Sequence, residues 1–337
     1  MRPAVILGAG RDNHIFNEQD AGNRDDCYQP YIQLRDRLRQ AGYDLRTPDR
    51  LGHEVPAFQF HFNAREPQFD VPAYLLYLET DILYPSNARR DLLNRYRRVF
   101  TWNDSLVDGR RFVKVHLPNP IRIPRADGFE GRDLFCCLIA GNKVMRYPDE
   151  RELYTERVRA IRWFEAHAPD EFRLFGIDWD TPPRRRGRWG KMEKRLWKGV
   201  LSRLGLRPFP SYRGTVGAKR DVLSRARFSL AYENVRDVPG YITEKIFDCF
   251  FAGCVPVYRG AGNVTDYIPA DCFIDRRDFA DTGEVYRRLK AMGEAEFVTY
   301  QENIVRFLGS EQARAFSSAR FAETIAQGIV GDLEGMP

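Results

Sequence analysis

Histidine, methionine and tryptophan each occur only five times in 337 residues, and cysteine six times. The histidines show no metal-ligand spacing, so no zinc-type motif is present and no metal-binding residue is assigned. Cys27, Cys136, Cys137, Cys249, Cys254 and Cys272 form no CxxC pair and no staple-like series. They are expected to be reduced thiols, with Cys136 and Cys137 as small core residues in an apolar run. Long hydrophobic runs are also missing. The most apolar stretch, Ile246 to Tyr258, is interrupted by Asp248 and is too short to cross a bilayer. The opening MRPAVILGAG enters a strand pattern at once, without the apolar core or small-residue cleavage site of a secretory signal. The expectation is a cytoplasmic protein. No repeat of solenoid period is found.

What is present is an ordinary globular composition, 43% apolar and 30% charged. The length exceeds what one core comfortably fills, so two domains are expected. Net charge is +6, but Arg184 to Arg207 holds ten Lys/Arg against one acid, Glu193, leaving −3 for everything else. One basic segment on an otherwise acidic chain argues against nucleic acid as a partner across a whole face.

Short apolar runs alternate with helical patterns in both halves. Ala4 to Leu7, Ala57 to Phe62, Tyr74 to Leu78 and Val99 to Trp102 read as strands, with helices over Pro30 to Gly42 and Ala88 to Tyr96. Leu117 to Arg132 (LPNPIRIPRADGFEGR) lacks periodicity and reads as a linker. Beyond it, Leu134 to Ile139, Phe172 to Phe175, Arg227 to Tyr232 and Cys254 to Tyr258 read as strands. Helices are predicted over Glu150 to His167, Thr243 to Ala252, Gly283 to Met292, Glu296 to Leu308 and Gln312 to Gln327. Such alternation implies two parallel sheets covered by helices. The predicted division is 1–125, 132–310 and a C-terminal helix over 311–337. Ligands in α/β folds of this kind gather at the carboxyl ends of the strands.

The stretch FSLAYENVRDVPGYITEKIFDCFFAGCVPVYRG (Phe228 to Gly260) concentrates the chemistry. A buried strand ends in Tyr232, Glu233 and Asn234, where a ligand pocket belongs. Thr243 is a good N-cap for the next helix. Glu244 suits the helix dipole on simple end electrostatics, whereas Lys245 opposes it at a cost of a few tenths of a kcal/mol. A cation there hints at an anion nearby, and an exposed lysine of no function explains it as well.

This stretch resembles the donor-binding signature of glycosyltransferase family 10, the α1,3/4-fucosyltransferases. There a strand ending in Glu-Asn precedes Gly-Tyr-(Ile/Val)-Thr-Glu-Lys and a Val-Pro-(Val/Ile)-Tyr strand. The similarity continues through NVTDYIPADCFIDRRDF (Asn263 to Phe279), and extends upstream to ELYTERVRAIRWFEAHAPDEFRLFGIDW (Glu152 to Trp179) and SYRGTVGAKRDVLSRARF (Ser211 to Phe228). The resemblance is to the bacterial members. It implies a GT-B architecture of two Rossmann-like domains with an interdomain cleft, and an inverting transfer of L-fucose from GDP-fucose to a glycan or lipid-linked glycan acceptor. On the same resemblance Glu244 binds ribose hydroxyls, Lys245 and Arg213 bind the diphosphate, and Asn234 and Tyr241 line the donor pocket. Glu233, Thr243 and Lys219 join the donor-site residues. No cofactor is required, although a divalent metal could stimulate the reaction. An Arg fork, a Lys and a helix N-terminus suffice to stabilise a departing diphosphate. One departure stands out: Arg259 occupies the place of a tryptophan usual in the family, which bears on the donor sugar. Another donor carried on GDP is therefore an alternative reading, and a membrane- or nucleic-acid-binding protein that keeps the fold without catalysis is a second.

YLLYLETDILYPSN (Tyr74 to Asn87) followed by VFTWND (Val99 to Asp104) is similar to the family's acceptor-side segment. It implies that Glu79, at the carboxyl end of an apolar strand, is the base that takes the acceptor hydroxyl proton. A rim carboxylate or helix cap is the bland reading. Asp178-Trp179-Asp180 is a DxD, read here as structural. Gly8-Ala9-Gly10 lacks the third glycine of a dinucleotide fingerprint and reads as a tight turn. From Met192, the residues Leu196, Trp197, Val200, Leu201 and Leu204 recur at helical spacing among Lys191, Lys194, Arg195, Lys198 and Arg203. Two readings stand for 184–207. It is either a surface for anionic lipid at the inner face of the cytoplasmic membrane, or an insertion that packs Leu196 and Leu204 onto its own domain.

Overall fold

In the computed structural model, residues 1–200 and 204–335 are described. They form two compact units. The first holds Met1–Ile121, Pro239–Tyr241 and the described residues from Glu311 onward; the second holds Arg122–Val238 and Ile242–Ser310.

The first unit is built on six parallel strands: β1 (Arg2–Leu7), β2 (Tyr43–Arg46), β3 (Gln59–Phe62), β4 (Ala73–Tyr77), β5 (Arg98–Thr101) and β6 (Phe112–Lys114), in the order β2-β1-β3-β4-β5-β6. All five residues of β4 are buried, as expected of a central strand covered on both faces. One cover comes from α1 (Gln29–Gln40) and the C-terminal α10 (Ser318–Glu334), whose Leu34, Leu38, Phe321, Ile325 and Ile329 share a core with Ile6, Phe60, Leu76 and Phe100. Each of these burials contributes on the order of 1.5–3 kcal/mol. Arg98 of β5 fastens the far end of α10 by donating to both carboxylate oxygens of Asp332.

Two expected helices are shorter or broken here. Over 88–96 only α2 (Arg90–Leu93) forms, because Pro85–Ala88 is a 3-10 turn and Arg89 is extended. The pattern from Gln312 divides into α9 (Glu311–Arg314) and α10. Between them Phe316 and Ser318 bond to the backbone of Asn119, and Ser317 caps α10. The sequence pattern does not anticipate β2 or β6: YDLR sets two charges in a four-residue run, and FVK is only three residues long.

The second unit has five parallel strands: β7 (Leu134–Ile139), β8 (Phe172–Phe175), β9 (Ala226–Tyr232), β10 (Val255–Arg259) and β11 (Ile274–Asp275), in the order β11-β10-β9-β7-β8. Its helices are α3 (Tyr154–His167), α4 (Gly187–Gly199), α5 (Lys219–Leu223), α6 (Glu244–Phe251), α7 (Thr282–Ala291) and α8 (Glu294–Leu308). The core runs through Leu138, Ile161, Phe164, Phe172, Leu230, Val257 and Leu289. Cys136, Cys137, Cys249, Cys254 and Cys272 are buried free thiols, while Cys27 is exposed. Burial pushes the Cys137 and Cys272 thiols up to about 12, so they behave as small apolar groups.

Candidate functional site

The carboxyl end of β9 lies in the middle of the second sheet, and the next helix starts beside it. Glu233, fully buried, follows the last β9 residue and donates its N–H to the carbonyl of Arg259 at 2.8 Å. Its carboxylate accepts from Thr243 twice, from the backbone N–H at 2.8 Å and from Oγ1 at 2.7 Å. Thr243 is the N-cap of α6, accepting from Lys245 N–H. The Lys245 ammonium donates to Thr243 Oγ1 at 3.1 Å and lies 3.2 Å from Glu233 Oε2. Glu233 thus braces the helix start, and its oxygens are spent on that work. Gly260 permits the fit, since a Cβ there would come within 2.4 Å of Glu233 Cγ.

Burial works against the Lys245 charge, but the Glu233 and Glu244 carboxylates outweigh it and hold the lysine above its ordinary pKa. Against the desolvation its neighbours impose, Lys245 and Lys219 hold the half-exposed Glu244 well below the usual carboxylate range. Lys219, on α5, lies 3.5 Å from Glu244 and donates to Asp248 at 2.6 Å, tying α5 to α6. Both ions of the Glu244–Lys245 pair are therefore charged at neutral pH. A tethered ammonium beside a helix N-terminus and a half-exposed carboxylate can receive a phosphate and a pair of hydroxyls respectively.

Asn234 joins this corner through a residue the sequence reading gave no role. Arg157 of α3, buried, donates to the carbonyls of Tyr232 (2.6 Å) and Glu233 (2.7 Å) and to Asn234 Oδ1 (3.2 Å). Its signal was a charge on the apolar face of a helix, between Tyr154 and Ile161, where a charge is kept only if it is satisfied.

The other expected site residues make bonds of their own. Arg213 follows Tyr212, which bridges to Leu174 of the edge strand β8, and its exposed guanidinium donates to the carbonyls of Pro210 and Tyr212. Burial of part of the side chain, with the charges of Arg173 and Arg207, lowers its pKa. Tyr241 belongs with the first unit, buried with its ring 4.8 Å from that of Trp102. Also in the first unit, Glu79 follows β4. Its N–H donates to Asn63 Oδ1 at 2.8 Å and its carbonyl accepts from Asn87 Nδ2 at 2.7 Å, a clamp the sequence did not reveal. Asn63 adopts a left-handed φ of 58°, which asparagine tolerates better than most residues.

The two aspartates of the DxD face the basic helix. Asp178 accepts from Arg184, from Lys194 at 2.8 Å and from Lys198 at 2.8 Å, and Lys198 also lies 3.8 Å from Asp180. Although burial opposes it, hydrogen bonds from Lys194 and Lys198 bring the Asp178 pKa down to about 2. On α4 these lysines sit roughly 140–180° around the axis from the line through Trp189, Met192 and Leu196, at about 100° per residue. That line faces away from its anchor: Trp189 is 80% exposed and Leu196 54%. Leu204 is exposed as well, so neither leucine packs onto the unit as the second reading of this segment required. Leu201 and Arg203 of the expected pattern lie outside the described residues. No described helix is long and apolar enough to cross a membrane.

Residues 208–303, which include β9, α6 and β10, match the family model for the C-terminal part of glycosyltransferase family 10 (fucosyltransferase). An α-(1,4)-fucosyltransferase of Arabidopsis thaliana is 39% identical over 80 residues, covering 24% of this chain and 20% of that protein. The chain thus spans about a fifth of the length of that curated relative. A crystal structure of an α1,3-fucosyltransferase with GDP resembles the whole chain at a TM-score of 0.55 and 14% identity, over 92% of that protein. Sucrose-phosphate synthase from Thermosynechococcus elongatus gives a TM-score of 0.58 at 12% identity, with all of both chains covered. These likenesses show the fold, two parallel-sheet α/β units of the GT-B class. The segment that builds the Glu233–Thr243–Lys245 corner is thus the one that is similar to the C-terminal part of glycosyltransferase family 10.

Proposed function

We propose that the protein is an inverting glycosyltransferase that moves L-fucose from GDP-fucose to a hydroxyl of an acceptor glycan destined for a bacterial surface polysaccharide. The observation that carries this reading is the Glu233–Thr243–Lys245 corner within the family segment. Lys245, held charged and oriented, meets the donor diphosphate at the N-terminus of α6, and the half-exposed Glu244 meets ribose hydroxyls. Arg213 supplies a second cation to the diphosphate. As the bond to the departing GDP lengthens, negative charge grows on its phosphate oxygens, and fixed cations stabilise that state more than the ground state. Glu79, its backbone clamped by Asn63 and Asn87, takes the proton of the acceptor hydroxyl as it attacks the sugar carbon. No metal is needed in this scheme, and the Asp178 carboxylate is already engaged by three cations. The test is to supply GDP-fucose and a glycan acceptor and to determine the anomeric configuration of the product. A configuration opposite to that of the donor supports the reading, and retention would refute it.

The exposed Trp189–Met192–Leu196 line, flanked by Arg188, Lys191 and Arg195, supports a second element of the proposal. Through α4 the protein rests on the anionic inner face of the cytoplasmic membrane, where a lipid-linked acceptor would be presented.

A further inference from the structure

Beside the corner just described, a cavity of about 470 Å³ is lined by Glu156, Arg236, Arg259, Arg276, Arg277 and Phe279. Four guanidiniums line one cavity, and most of their donors are spent. Arg277 forks onto Asp275 and donates to the Gly262 carbonyl at 2.6 Å. Arg236 is taken by Asp237 and by the Glu150 carbonyl. Arg276 donates to the Phe279 carbonyl at 2.7 Å and faces Glu156 at 3.3 Å.

Arg259 differs. Its side chain is only 16% exposed, yet its one ion pair among the described residues is a long one, 3.9 Å to Asp237 Oδ2, an oxygen already bonded to Arg236. The side chain is mostly covered while its guanidinium nitrogens reach the cavity, so five N–H donors with no close acceptor among the described residues are left to solvent or a ligand there. Its place is fixed by the strand: Arg259 ends β10 in register with Tyr232, and its own carbonyl accepts from Glu233. The underused fork therefore stands at the strand end next to that of the residue that braces Lys245.

We propose that this cavity is an oxyanion subsite, anchored by Arg259, for a carboxylate or phosphate carried by one of the two sugar substrates. The substrate assignment rests on the GDP-sugar reading above; the anion assignment does not. A planar carboxylate or a phosphate matches the guanidinium fork, whereas a neutral deoxy-sugar offers it no charge to pair with.

The test compares the full-length protein with Arg259→Gln. Inorganic phosphate is first titrated while the arginine side-chain Nε–H signals are followed by NMR. The signal missing from the variant should shift saturably in the wild type, and no shift overturns the proposal. GDP-mannuronic acid and GDP-mannose, which differ by a carboxylate, are then compared. A preference for the acid of about tenfold in the wild type, lost in the variant, places the anion on the donor and replaces fucose as the donor sugar while leaving the GDP-sugar reading in place. Equal binding of the two moves the comparison to acceptor sugars with and without a phosphate. A roughly tenfold fall in kcat/KM confined to the charged acceptor then places it there. Discrimination in neither pair overturns the proposal, as does an equal loss of affinity for GDP itself in the variant. If GDP fails to bind the wild type while phosphate still shifts Arg259, the nucleotide reading falls and the oxyanion assignment stands.

Discussion

Glu233 Oε2 and Lys245 Nζ lie 3.2 Å apart with the hydroxyl of Thr243 bonded to both, so one buried carboxylate holds the helix cap and the cation together. The arrangement gives Lys245 a structural role, and the ligand-binding role proposed for it is separable from that one by substitution.

Lys245→Met should destabilise the fold by about 3 kcal/mol, because it leaves a buried carboxylate without its cation. It should also weaken GDP binding at least about tenfold. Adding Glu233→Gln removes the stranded charge and should restore most of the stability while GDP binding stays weak. Urea melts and calorimetric titration read the two effects. Recovery of GDP affinity in the double variant would show that Lys245 does not touch the diphosphate.

Glu79→Gln should lower kcat by about 10²–10⁴-fold, the range for loss of a general base, with GDP affinity within about twofold of wild type. The isosteric change leaves the backbone bonds to Asn63 and Asn87 in place, so folding is not at issue. Near-full activity would mean that another group takes the proton.

The alternating pattern made the two parallel sheets legible, and polar residues ending an apolar run marked the carboxyl end of β9, where the Glu233–Thr243–Lys245 corner forms. Lys245 and Glu244 stood out by position relative to a helix dipole. What the sequence could not show was pairing between distant residues. Asn63 reaches Glu79 across 16 positions and Arg157 reaches Asn234 across 77, and no local periodicity encodes either. That Glu233 braces the helix start was equally hidden, because a polar group at a strand end is ambiguous until its partners are known. Nor could the sequence tell that Arg184, Lys194 and Lys198 spend their charge on Asp178, leaving the opposite apolar line of α4 exposed.

Asp178 provides a pH test. Its folded pKa lies below the ordinary aspartate value, so its stabilisation of α4 is complete above pH about 4 and fades as the pH falls toward about 2. Asp178→Asn should mimic the acid state at neutral pH, exposing 184–200 to faster trypsin cleavage while transfer activity persists. Activity should likewise persist in EDTA. Loss of activity in EDTA, restored by Mn²⁺ in the wild type but not in Asp178→Asn, would give the DxD a metal-binding role.

The protein should sediment with anionic vesicles and not with neutral ones, and salt should release it. Each Lys or Arg at such a surface contributes about 1 kcal/mol. Arg186, Arg188, Lys191 and Arg195, none of which is bonded to Asp178, should matter more than Lys194 or Lys198. Changing those four to Ser should abolish sedimentation and spare transfer to a soluble acceptor. If the wild type ignores anionic vesicles at low salt, the membrane element of the proposal is wrong.

The most direct measurement is the thermal stability of the wild type with GDP and with UDP over a range of concentrations. A nucleotide at a hundred times its Kd stabilises the folded state by about 2.7 kcal/mol. GDP should reach that effect at a far lower concentration than UDP. Equal stabilisation by the two nucleotides, or none by GDP, would contradict transfer from a GDP-sugar.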